Sequence, residues 1–125
     1  KTYIARVWGV VEGDKGHIDL PLGVDWENRP KQIIDYENGK SAQTDWEVLA
    51  REDEVTRVRL APTTGRSHQL RVHMLSLGHP IVGDVFYADG EALHAAPRLQ
   101  LHAETLTFTH PESGDQRTFT SACPF

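Results

Sequence analysis

The chain contains a single cysteine, Cys123, so no intrachain disulfide can staple it. It lacks any apolar run near the roughly 18 residues that a membrane span requires, and its mean hydropathy of -0.47 excludes a transmembrane class. There is no excess of positive charge: 13 Lys and Arg stand against 18 Asp and Glu, a formal net charge of -5. That balance excludes a protein that coats nucleic acid non-specifically, because such binding depends on neutralising many phosphates. It leaves room for a local basic face that grips one structured site. Seven Pro and ten Gly are spread along the chain rather than pooled, which gives no linker, low-complexity tract or internal repeat. The first residue is Lys1, and strand-like sequence follows without a leader. We therefore expect a piece of a longer protein, in a reducing cytoplasm. What is present, in 125 residues, is one domain or part of one.

Residues 2–9 alternate, with Tyr3, Ala5 and Val7 on one face and Ile4, Arg6 and Trp8 on the other, and predict a strand. Residues 17–20 predict a short return strand after the turn cluster at 13–16. Loop follows to Arg29-Pro30. Residues 31–36 and 43–51 predict strands joined by a hairpin turn at Asn38-Gly39, and 55–60 a third strand completing an antiparallel meander. After Pro62, Leu70, His73, Met74 and Leu77 recur at helical spacing and predict one main helix over about 66–77, capped by Thr63 or Thr64 and ended by Gly78. One further helical turn is expected within 83–96. Residues 99–110 and 116–121 predict a closing hairpin around the turn at 111–115. The expected class is α+β: a β-rich, mostly antiparallel mixed sheet with one main helix.

The segment Gly65-Arg66-Ser67-His68-Gln69-Leu70-Arg71-Val72-His73 is the least ordinary stretch. An arginine in a first helical turn is repelled by the macrodipole by roughly 0.3–1 kcal/mol, so Arg66 points to a carboxylate or phosphate partner, a solvated arginine being the plain alternative. His68 and His73 are five apart and share no helix face, so a metal site is not expected. Neighbouring helical side chains diverge, which excludes Ser67 and His68 as a nucleophile and base pair.

Those nine residues, with Lys1-Thr2-Tyr3 opening the first strand, Gly78-His79-Pro80-Ile81-Val82-Gly83-Asp84, Tyr87 and Leu101-His102-Ala103, resemble the RluA-type pseudouridine synthases in the family's own order and over the whole chain. Trp26 and Asn28-Arg29-Pro30-Lys31 are similar to the RluA subgroup. The resemblance implies the pseudouridine synthase catalytic fold, isomerisation of uridine to pseudouridine in structured RNA (rRNA, tRNA or both), and no metal or organic cofactor. It also implies a nucleophilic aspartate in an H-R-L-D motif upstream of the K-x-Y strand. No such motif lies between Lys1 and Phe125. We expect residues 1–125 to be the C-terminal part of a catalytic domain, inactive alone. A non-catalytic RNA-binding module on the same scaffold is the alternative.

By the same resemblance Tyr3 would lie against the flipped uracil and assist proton removal at C5, and Arg66 would hold the absent aspartate ionised and aimed at the sugar. Leu70 would line the uracil pocket or simply pack. Gln69 and Arg71 would meet substrate, Arg71 through RNA phosphate unless it is a solvated helix residue. Arg29 and Lys31 beside Trp26 would form a basic and aromatic RNA patch, or a strand-edge charge pair. Asp84 and His102 read as structural hydrogen-bonding residues. An unpaired strand edge at residues 1–9 would invite self-association.

Overall fold

The computed structural model describes residues 1–109 and 116–125. Strand β1 (Thr2–Trp8) lies inside the sheet, not at its edge. It pairs antiparallel with β6 (Val55–Pro62) through Tyr3↔Leu60 to Trp8↔Val55, and on its other side with β7 (Leu101–Thr109). The expected open edge at residues 1–9, and the self-association built on it, are thus corrected: this chain's own β7 covers that edge. The six-stranded sheet runs β2-β5-β6-β1-β7-β8, with β2 at Lys15–Asp19, β5 at Gln43–Glu52 and β8 at Gln116–Thr120. Every pairing is antiparallel among the described residues, so the sheet is not mixed. The closing hairpin of β7 and β8 forms as expected, while its turn at 111–115 lies outside the described residues.

Of the expected meander the β5–β6 pairing forms, antiparallel from Thr44↔Pro62 to Glu52↔Val55, but the pairing of residues 31–36 with β5 does not. Strand β4 (Gln32–Ile34) pairs with β3 (Leu22–Val24), a strand read as loop, and the two make a separate small sheet. The Asn38-Gly39 turn instead folds back on Asp35, whose Oδ1 accepts the N–H of Glu37 and of Asn38 at 3.1 and 3.0 Å. Gly39 lies so close to β3 that a Cβ there would stand 3.1 Å from the Leu22 backbone. The Asn-Gly signal therefore marks a close approach of two backbones, not a β4–β5 hairpin.

One face of the large sheet carries Ala5, Val7, Val58 and Leu60 against helix α1 (Gln69–Ser76), which contributes Leu70 and Met74. This is the main core, and burial of such side chains is worth about 1.5–3 kcal/mol each. The opposite face carries ion pairs: Arg6 and Arg57 with Glu52, and Arg59 with Glu47 and Glu104. Three arginines are neutralised there.

Helix α1 begins three residues later than the periodicity implies. His68 has a left-handed backbone (φ +55°), which no helix continues through, and the Gln69 side chain acts where Thr63 or Thr64 was expected to cap: its Oε1 accepts the Arg66 N–H at 3.1 Å. Arg66 thus precedes the helix, and the macrodipole argument does not apply to it. Gly78 (φ +85°) ends the helix as expected, and the short α2 (Gly90–His94) falls inside 83–96.

Candidate active site

Between the start of β1, the 64–66 loop, α1 and the start of β7 lies a cleft of about 390 Å³, lined by Lys1, Tyr3, Arg66, His68, Leu70 and Arg71 among others. The strand contributes Tyr3 because its side chain alternates onto the α1 face, and the Lys1 ammonium lies 5.4 Å from the centre of the Tyr3 ring. Leu70, 7% exposed, belongs to both the core and the cleft wall.

The two arginines occupy different environments. Arg66 is exposed, and its Nε donates to the Ser41 carbonyl at 2.8 Å. Arg71, with a side chain 15% exposed, donates from Nε and Nη2 to the two carboxylate oxygens of Asp84 at 2.9 and 2.6 Å. Asp84 is wholly buried and its Oδ1 also accepts the N–H of Phe86 and Tyr87. These charge-assisted bonds raise the Arg71 pKa, and its guanidinium carbon sits 5.3 and 5.2 Å from the Phe86 and Tyr87 rings. The expectation of a solvated helix arginine is corrected: Arg71 is a fixed cation at the cleft wall. Asp84 is structural, as read from the sequence.

Gln69 is 4% exposed, accepts from Thr64 Oγ1 at 2.7 Å, and donates to the Gln43 carbonyl and Thr44 Oγ1 at 2.9 and 3.0 Å. With its amide held by protein partners, it shapes the loop that carries Arg66 and borders the cleft. Thr44 in turn donates to His73 Nδ1 at 2.8 Å, and His73 Nε2–H donates to the Leu20 carbonyl at 2.9 Å.

His68 was given no site role by the sequence, since nothing local announces a left-handed residue. The structure sets it in the cleft, where Nδ1 accepts from Tyr87 Oη at 2.6 Å while that oxygen accepts the Gln32 N–H at 2.8 Å. Burial lowers the His68 pKa, with the Arg71 charge acting in the same direction. Lys31 stands 5.7 Å over the Tyr87 ring and Arg29 5.4 Å over Trp26. Neither lies within a strand, so the strand-edge pair is corrected.

Burial also lowers the His73 pKa. A histidine whose folded pKa lies below its unfolded value near 6.5 binds fewer protons in the native state. Stability should therefore be fully present above pH 6.5 and fall as pH drops below it, by up to about 1.4 kcal/mol per pH unit for each such group. Thermal melts from pH 5 to 8 check this, and His73→Gln should flatten the acid side; a slope unchanged in that variant would overturn the assignment.

A family profile described as RNA pseudouridylate synthase matches residues 1–76. The chain is 61% identical over 126 aligned positions to the dual-specificity RNA pseudouridine synthase RluA of Yersinia pestis, covering 100% of this chain and 61% of that protein. The corresponding protein of Escherichia coli K12 is 59% identical, with 100% of this chain and 58% of that protein covered. Among solved structures, human RNA pseudouridylate synthase domain containing 1 superposes with a TM-score of 0.87 at 34% identity, covering 99% of this chain and 54% of that one. The chain thus spans about three fifths of the curated relatives it matches.

Proposed function

The chain belongs to the RNA pseudouridylate synthase family, and from that membership we propose that its parent protein isomerises uridine to pseudouridine in structured RNA, rRNA or tRNA. In this reading residues 1–125 supply one wall of the active site and preceding sequence supplies the carboxylate that acts on the ribose. The N1–C1′ bond breaks, the uracil turns against the Tyr3 ring, and a C5–C1′ bond forms. The C5 proton is then lost and N1 gains one. The observation that carries the proposal is the cleft itself, where an aromatic ring, an apolar wall at Leu70 and two guanidinium groups meet.

In this proposal the two arginines are separated by how each is held. A group that must hold a carboxylate in one orientation should itself be held, and Arg71 is pinned by Asp84 on two donors. Arg66, exposed at the rim, is placed to meet the RNA backbone. We therefore assign Arg71 the role the sequence reading gave Arg66.

The test is tritium release from stem-loop RNA labelled at uridine C5. The parent protein should release tritium, while the isolated chain should release none and bind the same RNA only weakly at physiological salt, consistent with its net charge of -5. Sub-micromolar binding by the parent without tritium release would support the alternative, a non-catalytic RNA-binding module.

A further inference from the structure

The cleft continues past Arg66. A second cavity of about 550 Å³ opens beyond the 65–67 loop, lined by Trp26, Gln32, Asn38 and Lys40 among others, and Gly65 and Arg66 border both cavities. The ridge between them is low, for a Cβ placed on Gly65 would meet nothing within 4 Å. Trp26 is 69% exposed on the turn between β3 and β4, with Arg29 5.4 Å over its ring, so the protein leaves the rest of a large indole in water at the mouth of a polar pocket. Core packing does not account for it.

We propose that this second cavity holds one unpaired nucleotide adjacent to the target uridine, its base stacked on the Trp26 indole and the intervening phosphate on the Arg66 guanidinium. Only the identity of the neighbouring nucleotide as a uridine target rests on the isomerase reading. The chemistry fits a nucleotide in three respects. An indole accepts the face of any base. The amides of Gln32 and Asn38 offer donors and acceptors to a base edge. Arg66 and Lys40 place cations beside a cavity whose one lining carboxylate, Asp35, already accepts two backbone N–H groups through its Oδ1. The platform is also braced against the first cleft, because Tyr87 Oη accepts from Gln32 on β4 and donates to His68. A base on Trp26 and a base on Tyr3 would thus rest on one rigid frame.

The test uses the parent protein and RNA stem-loops with a single loop uridine, carrying 2-aminopurine on its 5′ or its 3′ side. Stacking on an indole quenches that fluorophore. In one of the two RNAs quenching should exceed that of free RNA, and Trp26→Ala should remove it and weaken binding about tenfold or more, whereas Trp26→Phe should keep part of both. The melting temperature of Trp26→Ala should not move, because its side chain is 69% exposed. Quenching and affinity unchanged by Trp26→Ala would overturn the proposal and leave the isomerase reading intact. Trp26-dependent quenching without tritium release would uphold the nucleotide site and overturn the isomerase reading.

Discussion

Replacing Arg71 by alanine in the parent protein should cost about 3–5 kcal/mol of stability, because the wholly buried Asp84 carboxylate is left without its partner. Pseudouridine formation should fall beyond detection in the same variant. Two effects are mixed in that result, and a second substitution separates them. In Arg71→Met with Asp84→Asn the stranded charge is gone and the Asn oxygen still accepts from Phe86 and Tyr87, so much of the lost melting temperature should return while turnover does not. Arg71→Lys should hold the charge but not the two-pronged geometry and recover a few per cent of the rate. Arg66→Ala should melt like the unaltered protein, since its side chain is exposed and Nε donates to a single carbonyl. Its loss should appear as weaker RNA binding with a shallower salt slope, by about one unit. If Arg66→Ala instead lost about 10²-fold in single-turnover rate at saturating RNA while Arg71→Lys turned over normally, the carboxylate partner would be Arg66.

Tyr3→Phe should lower the single-turnover rate at saturating RNA by about 10²-fold or more, in the range of general acid–base contributions, and leave RNA affinity nearly unchanged. The ring remains to face the uracil and the hydroxyl that assists loss of the C5 proton is gone. Tyr3→Ala should lose both. The strand should tolerate either change, because Tyr3 is only partly buried and its neighbours Ile4, Ala5 and Val7 hold the register. Equal rates for Tyr3→Phe and the unaltered protein would confine Tyr3 to stacking. A substrate isotope effect at C5 that grows in Tyr3→Phe would support the proton role directly.

Periodicity read the long elements well because β1 and β6 are half-buried strands whose alternation the sheet enforces, and β5 was found for the same reason. It missed β3 and stretched β4 to residues 31–36, each strand being three residues long. So short a strand carries no period. A dipeptide strongly associated with hairpins then supplied the wrong partner, when Asn38-Gly39 serves an aspartate-anchored turn. The site was read in the same uneven way. The face that Tyr3 presents follows from strand alternation and that of Leu70 from the helix stripe, while the roles expected of them came from the family resemblance. The exchange of roles proposed above for Arg66 and Arg71 has a different source: the left-handed backbone at His68 moves the helix start, and with it the faces that residues 65–68 present. Asp84 lies thirteen residues from Arg71 along the chain, beyond the reach of any local pattern, so which arginine is pinned is a tertiary fact.

The central place of β1 also governs the order in which the sheet can be made. Its two neighbours are β6, which begins at Val55, and β7, which begins at Leu101. At a synthesis rate of about 5–20 residues per second, β1 waits several seconds for its first partner and on the order of 5–20 s for its second. Through that interval an alternating strand with Tyr3, Ile4, Val7 and Trp8 presents first two bare edges and then one. Pairings this distant along the chain also slow folding, because loop closure must precede the contacts that reward it. The demand on a chaperone is therefore greatest while residues 63–100 are being made, when four of the sheet's six strands are present and the position beside β1 that β7 will fill stands empty.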